Sequence, residues 1–190
     1  MERFLFGKNW ERFSKKIDPQ SIKYSCDSLK ELLEISSLKG KTFLDIGCGS
    51  GIHSIAALKL GARKVEAFDY DIDSVKTSKN VLEKFCPNNN WSVKQASILD
   101  NKNIFLKKSF DYVYSWGVLH HTGDMWKAID NVVKITKKNS ILAIAIYNDQ
   151  GGASKRWLFI KKFYNKSPIV MKYLLLFFFF IFFELRNILV

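Results

Sequence analysis

The sequence predicts an α/β domain: a doubly wound, Rossmann-like parallel sheet with helices on both faces. Three observations predict it. Short apolar runs of strand length alternate with helical stretches of about ten residues or more, the texture of βαβ units. A glycine cluster, Asp45-Ile46-Gly47-Cys48-Gly49-Ser50-Gly51, follows the first of those runs. The 190 residues, 47% hydrophobic and 25% charged, fit one globular domain with a substantial core and exclude a disordered or collagen-like chain.

Taken in order, residues 1–40 read as an amphipathic helical lid. Within it Ser28–Ile35 carries Leu29, Leu32 and Leu33 at helical spacing, ending near Gly40. Thr42–Asp45 is a short buried-strand run, and Ile52–Leu60 is a helix stopped by Gly61. Lys64–Asp69 is a second strand, and Asp73–Phe85 a helix that halts at Pro87. Trp91–Gln95 and Phe110–Ser115 read as the third and fourth strands. Met125–Thr136 is a helix with Ile129, Val132 and Val133 on one face, and Ile141–Tyr147 is the fifth strand. Residues 41–150 thus form the α/β core. Residues 151–190 are a basic and then hydrophobic segment, part of the same domain or a membrane-associated tail.

Thirty Lys and Arg against eighteen Asp and Glu give +12, a balance that permits contact with nucleic acid or an anionic membrane. Three scattered cysteines, Cys26, Cys48 and Cys86, make neither a disulfide framework nor a zinc site and suit a reducing, cytoplasmic compartment. The first residues lack the apolar core and cleavage site of a secretion signal. No metal site is expected, because no carboxylate lies at ligand spacing from the adjacent His120 and His121.

In sheets of this kind ligands bind beyond the carboxyl ends of the strands. After the first strand, Gly47, Gly49 and Gly51 allow a tight turn and close approach of a ligand to the backbone. A dinucleotide fingerprint would place the third glycine one residue later. Asp45, two places before the first glycine, would repel a pyrophosphate but suits a ligand carrying an ammonium group, such as S-adenosylmethionine. Asp69 ends the second strand eighteen residues beyond Gly51, the place for a carboxylate that accepts ribose hydroxyls. Asp71 and Asp73 read as solvated or helix-capping residues. Ser97 and Ile98 follow the third strand, where an adenine would lie, although Ser97 equally suits a plain turn. Ser115-Trp116-Gly117-Val118-Leu119-His120-His121 follows the fourth, where a reactive end and a substrate would meet. Either histidine could take a proton near neutral pH, or pack and cap the next helix. His53 reads as an ordinary helix residue.

The segments FLDIGCGSG, FDYDIDSV and YSWGVLHHTGD, in that order and spacing, resemble the class I S-adenosylmethionine-dependent methyltransferases. Within them the chain is similar to the bacterial ubiquinone-biosynthesis (polyprenyl-hydroxyphenol) methyltransferase group, a likeness that RFLFGKNWERF and IYNDQGG extend over about residues 3–168. The resemblance implies S-adenosylmethionine as cofactor. Asp45, Gly47, Cys48, Gly49 and Gly51 would line its methionine end. Asp69 would hold the ribose with Tyr70 beside the adenine, Ser97 and Ile98 would contact the adenine, and Ser115 and Trp116 would lie beside the methyl-bearing sulfur. His121 matches a histidine recurrent in small-molecule members, His120 a more variable place, and Trp10 and Phe13 would belong to the lid. The implied function is methyl transfer to a small-molecule acceptor, a phenolic or quinone-type lipid hydroxyl included. A nucleic-acid methyltransferase is disfavoured, since the fourth strand leads into Ser115-Trp116-Gly117 instead of Asn/Asp-Pro-Pro-aromatic and no Pro-Cys nucleophile is present. A non-catalytic or truncated binding module is the remaining alternative.

The family ends in two antiparallel strands, for which no clear pair follows Tyr147. Instead, Gly151–Lys172 holds six basic and no acidic residues, and Tyr173–Phe183 runs without a polar side chain apart from the tyrosine hydroxyl. That run is expected to be a buried or interfacial segment, a tail anchor stretched over Ile169–Val190 at the cytosolic face, or a strand beside Ile141–Tyr147.

Overall fold

The computed structural model describes residues 6–188, with side chains to residue 185. Two compact units divide the chain, Met1–Tyr147 and Asn148–Val190. In the first unit the order is α1 (Gly7–Ser14), α2 (Pro19–Leu33), β1 (Thr42–Ile46), α3 (Ile52–Lys59), β2 (Lys64–Asp69), α4 (Ile72–Phe85), β3 (Trp91–Gln95), β4 (Phe110–Trp116), α5 (Met125–Ile135) and β5 (Thr136–Ala145). The second holds α6 (Gly152–Lys166) and α7 (Ile169–Ile188).

All five strands run parallel, in the order β3-β2-β1-β4-β5. The reversal of direction in strand order falls between β1 and β4, so their carboxyl ends open the crevice where this architecture places ligands. Alternation along β1 builds two cores. Phe43 joins Val65, Ala67, Val93 and Tyr114 beneath α2, α3 and α4, while Leu44 and Ile46 join Phe68 and Val113 beneath α5. This is the doubly wound fold read from the sequence.

Helix α2 begins well before Ser28. The Asp18 carboxylate accepts from the Ser21 amide at 2.7 Å and the Ser21 hydroxyl accepts from the Asp18 amide at 2.9 Å, a reciprocal cap completed by Pro19 at the first helical position. The helix ends at Leu33, where Glu34 turns left-handed at φ 54, ahead of Gly40. Strand β5 also differs from the expected Ile141–Tyr147. It starts at Thr136 opposite Phe110, passes an irregularity, and stops at Ala145 because its partner ends at Trp116.

The entry to β1 is tied to β4 by Asp111, whose carboxylate accepts from the Thr42 amide at 2.8 Å and from the Thr42 hydroxyl at 2.7 Å. The Thr42 amide, then its hydroxyl and Lys137, outweigh burial and hold the Asp111 carboxyl down at about 2. A carboxyl lowered in the folded state stabilises above its unfolded pKa, and that contribution is lost as pH falls through the folded value. We therefore expect Asp111→Asn to lower the urea midpoint at pH 7 and to match wild type near pH 2.

The aromatic run at Tyr173–Phe183 is helical within α7, which corrects the strand reading. Its phenylalanines are compatible with either state, but it holds one β-branched residue, Ile181, and neither glycine nor proline, so the helix begun at Ile169 continues through it unbroken. Among the described residues no strand follows β5 and no helix is long and apolar enough to cross a membrane. The tail-anchor reading therefore gains no spanning helix, since Lys172 and Glu184 flank too short an apolar run; its last residues, 189 and 190, lie outside those described.

Candidate active site

The loop from β1 to α3 is held against β2 by the amides of Gly47 and Cys48, which both donate to the Phe68 carbonyl, at 2.8 and 3.2 Å. Gly47 has φ +74, and a Cβ there would lie 2.5 Å from a Val118 methyl. Gly49 has φ +52, and its Cβ would meet the Trp10 indole at 2.7 Å. The loop can therefore run between Val118 and Trp10 only as bare backbone. Gly51 caps α3, and its amide donates to the Cys48 carbonyl at 2.8 Å. Cys48 is buried, and burial, with the charges of Asp45 and Asp69, raises its thiol well above the ordinary range. Its sulfur packs inside the loop and accepts from the Ser78 hydroxyl at 3.3 Å.

Asp45 closes β1 from below, 2% exposed, with its carboxylate accepting from the Ser54 hydroxyl at 2.7 Å. Burial pushes its carboxyl up to about 7 against that hydrogen bond, and the charge of Asp69 adds to the rise. Ser54, which sequence spacing alone does not single out, lies on the first turn of α3, nine residues after Asp45. Asp69 ends β2 with one carboxylate oxygen accepting from the Gly49 amide at 3.0 Å and the other from the Asp71 amide at 2.9 Å. Burial raises its carboxyl despite these two donors. Each oxygen retains acceptor capacity for a further hydroxyl.

Asp71 caps α4 by accepting from the Asp73 amide at 2.9 Å, and also accepts from the Gly7 amide at 2.7 Å. Any side chain at Gly7 would collide with Asp71 and Asp73. A glycine at the start of α1 thus lets the helix dock on α4 and lay Trp10 over Gly49. The lone Gly7 before a helical stretch is the sequence signal for this contact. Phe13 meets the Trp10 ring edge-on at 6.0 Å.

After β3, the Ser97 hydroxyl accepts from the Leu99 amide at 3.2 Å, and Ile98 is buried with its carbonyl accepting from Asn131 at 2.8 Å. Tyr70 is half-exposed, and its carbonyl accepts from Gln95 at 3.1 Å. At the end of β4 Ser115 is fully buried and donates to the Ile46 carbonyl at 3.2 Å, whereas Trp116 is half-exposed and stacks beside Tyr114. His121 is exposed and lies 5.9 Å from both the Phe6 and Tyr147 rings. The His120 ring sits 4.0 Å from His121 and 4.5 Å from Tyr147. Both its nitrogens are buried without a hydrogen-bond partner among the described residues. Burial, then the charge of His121, lowers its pKa. His53, on the first turn of α3, packs on Tyr114 at 4.9 Å, and burial brings its pKa down to about 4, so it stays neutral.

The structure thus brings Asp45, the glycine loop and Asp69 together at adjacent strand ends, with the aromatic cluster of Phe6, His120, His121 and Tyr147 gathered beyond β4. Two acidic side chains beside a bare-backbone glycine loop fit a ligand bearing an ammonium group and a vicinal diol. They fit a pyrophosphate poorly.

A family model described as a methyltransferase domain matches residues 37–175. A ribosomal protein L11 methyltransferase of Vibrio campbellii is 47% identical over 68 residues, 31% of this chain and 23% of that protein. The Escherichia coli protein of the same name is 50% identical over 52 residues, 27% of this chain and 18% of its own length. The chain therefore spans under a quarter of these curated relatives. Among solved structures, a putative S-adenosyl-L-methionine-dependent methyltransferase from Methanococcus maripaludis superposes with a TM-score of 0.61 at 18% identity, covering 91% of this chain and 78% of that one. YcgJ of Bacillus subtilis gives 0.59 at 18% identity, over 72% and 56%. These structural likenesses speak for the fold.

Proposed function

The chain belongs to the methyltransferase-domain family, and on that premise we propose that it binds S-adenosylmethionine and transfers its methyl group to a small-molecule acceptor. The observation that carries this reading is the joint placement of Asp45, Gly47, Gly49 and Asp69. Asp45 would receive the ammonium group, the Gly47–Gly51 backbone the methionine portion, and Asp69 the ribose hydroxyls. Tyr70, Ser97 and Ile98 would flank the adenine. When bound, the cofactor supplies an activated methyl on a sulfonium.

The protein's own work is alignment and exclusion of water. Trp10 covers the loop, Ser115 fixes the end of β4, and Trp116 flanks the place where the acceptor would arrive. His121 would accept the proton of an acceptor hydroxyl as its oxygen takes the methyl. His120, adjacent and partly desolvated, would orient or relay. The aromatic surroundings of both histidines favour a flat, phenolic or quinone-type acceptor.

A general base in this position contributes about 100- to 10,000-fold to rate. His121→Ala should therefore lower turnover by at least about 100-fold while cofactor affinity stays near wild type. Release of the demethylated cofactor with a panel of phenols measures it. Unchanged turnover removes His121 from catalysis. The likeness to ribosomal protein L11 methyltransferases supports a second reading, a protein acceptor. Methyl label recovered in precipitable protein instead of the solvent-extractable fraction would favour it.

A further inference from the structure

We infer that the second unit is an interfacial docking element for an anionic lipid surface. This goes beyond the methyl-transfer reading and does not depend on it. No described side chain of residues 148–185 is buried, although the unit is dominated by large apolar groups. Phe159 is 71% exposed, and in α7 Phe178, Phe180 and Phe182 are 65%, 63% and 62% exposed. The two helices meet through Trp157 and Phe179, whose rings cross at 5.6 Å, and through Lys172 above the Tyr164 ring at 5.6 Å. That hairpin leaves most of its apolar surface uncovered, far beyond the scattered single exposures normal for a soluble surface.

Charge identifies the occupant. On α6, Lys155, Lys162 and Lys166 recur at spacings that put them on one face of a helix, with Phe159 among them. Lys155 and Arg156 share an open depression with Phe159 and Ile160. Among the described residues none of Lys155, Arg156, Lys161, Lys162 and Lys166 forms an ion pair with a carboxylate. Cations beside exposed aromatic rings match the boundary between anionic headgroups and acyl chains. A nucleic acid would satisfy the charge but leave the α7 face wet. A second copy would bury the apolar face but bring basic helices together. Because no helix among the described residues is long and apolar enough to span, the expected mode is lying in the interface.

Flotation of the whole 190-residue chain with phosphatidylcholine vesicles, with and without 30 mol% phosphatidylglycerol, tests this. The expected result is at least about tenfold more protein floating with the anionic vesicles, most of it released by molar salt. The variants Lys155→Glu/Lys162→Glu/Lys166→Glu and Phe178→Asp/Phe182→Asp should each lose that binding while keeping the wild-type circular dichroism spectrum. The proposal is overturned by equal flotation on neutral vesicles, by binding unchanged in the Phe178→Asp/Phe182→Asp chain, or by retention on RNA without flotation. A stable lipid-free dimer that does not float overturns it as well.

Discussion

Gly47→Ala is expected to lose about 3 kcal/mol of folding stability, from left-handed backbone strain of about 1–2 kcal/mol plus overpacking of about 1–3 kcal/mol. Gly47 sits at φ +74, and an added Cβ would fall 2.5 Å from the Val118 methyl, inside any real contact distance. Relief requires either Val118 or the loop to move, and the loop is fixed by the two amides on the Phe68 carbonyl. Movement of the loop would withdraw Gly49 from Asp69, so cofactor affinity should fall along with stability. Gly40 provides the control, because it has the same φ of +74 with nothing within 4 Å of its Cβ position. Gly40→Ala should register the strain alone, in the lower part of the range. Urea midpoints of the two variants measure the difference. Equal losses would mean that the close approach to Val118 has no energetic consequence.

Asp45→Asn should do the reverse to stability. The Asp45 carboxyl is raised by burial to about 7 in the folded chain, against an ordinary 3.8. The folded state then binds the proton more tightly than the unfolded state, so the contribution of this group is fully present below about pH 4 and is lost as pH rises from there to about 7. Keeping the carboxylate ionised above that window costs roughly 2–4 kcal/mol, which an amide avoids while still accepting from Ser54. We expect the ligand-free Asn variant to be more stable than wild type at pH 8 by that order and little changed at pH 4. Its cofactor affinity should drop about 100-fold, the magnitude of one lost charge-assisted hydrogen bond. Denaturation at both pH values, paired with titration of the cofactor, reads both effects. A variant that is destabilised at pH 8 would contradict the ionisation argument.

Much of this arrangement is legible in the residues. Lys64–Asp69 and Trp91–Gln95 carry the same bounds in sequence and structure because β-branched and aromatic residues between turn residues leave one reading. The glycine cluster and the two carboxylates after strands are local patterns, and the structure brings them together where the fold implies. What escaped was tertiary. Gly7 matters through Asp71, sixty-four residues away, and Ser54 through a hydrogen bond that spacing does not announce. His53 has no local signature of burial, since Tyr114 comes to it from a strand distant in sequence. The early start of α2 was readable in Asp18-Pro19-Gln20-Ser21, where cap and proline coincide. The aromatic run of α7 was ambiguous because periodicity says nothing in a segment that is apolar all round.

The most direct test is calorimetric titration of S-adenosylmethionine into the folded 190-residue chain, with Asp69→Ala alongside. Micromolar binding by the wild type, weakened at least about 100-fold in the variant as two or more hydrogen bonds to a charged group are lost, is the predicted result. No heat from a wild-type chain with a native circular dichroism spectrum, or equal affinity in Asp69→Ala, would contradict the assignment of this crevice as the cofactor site.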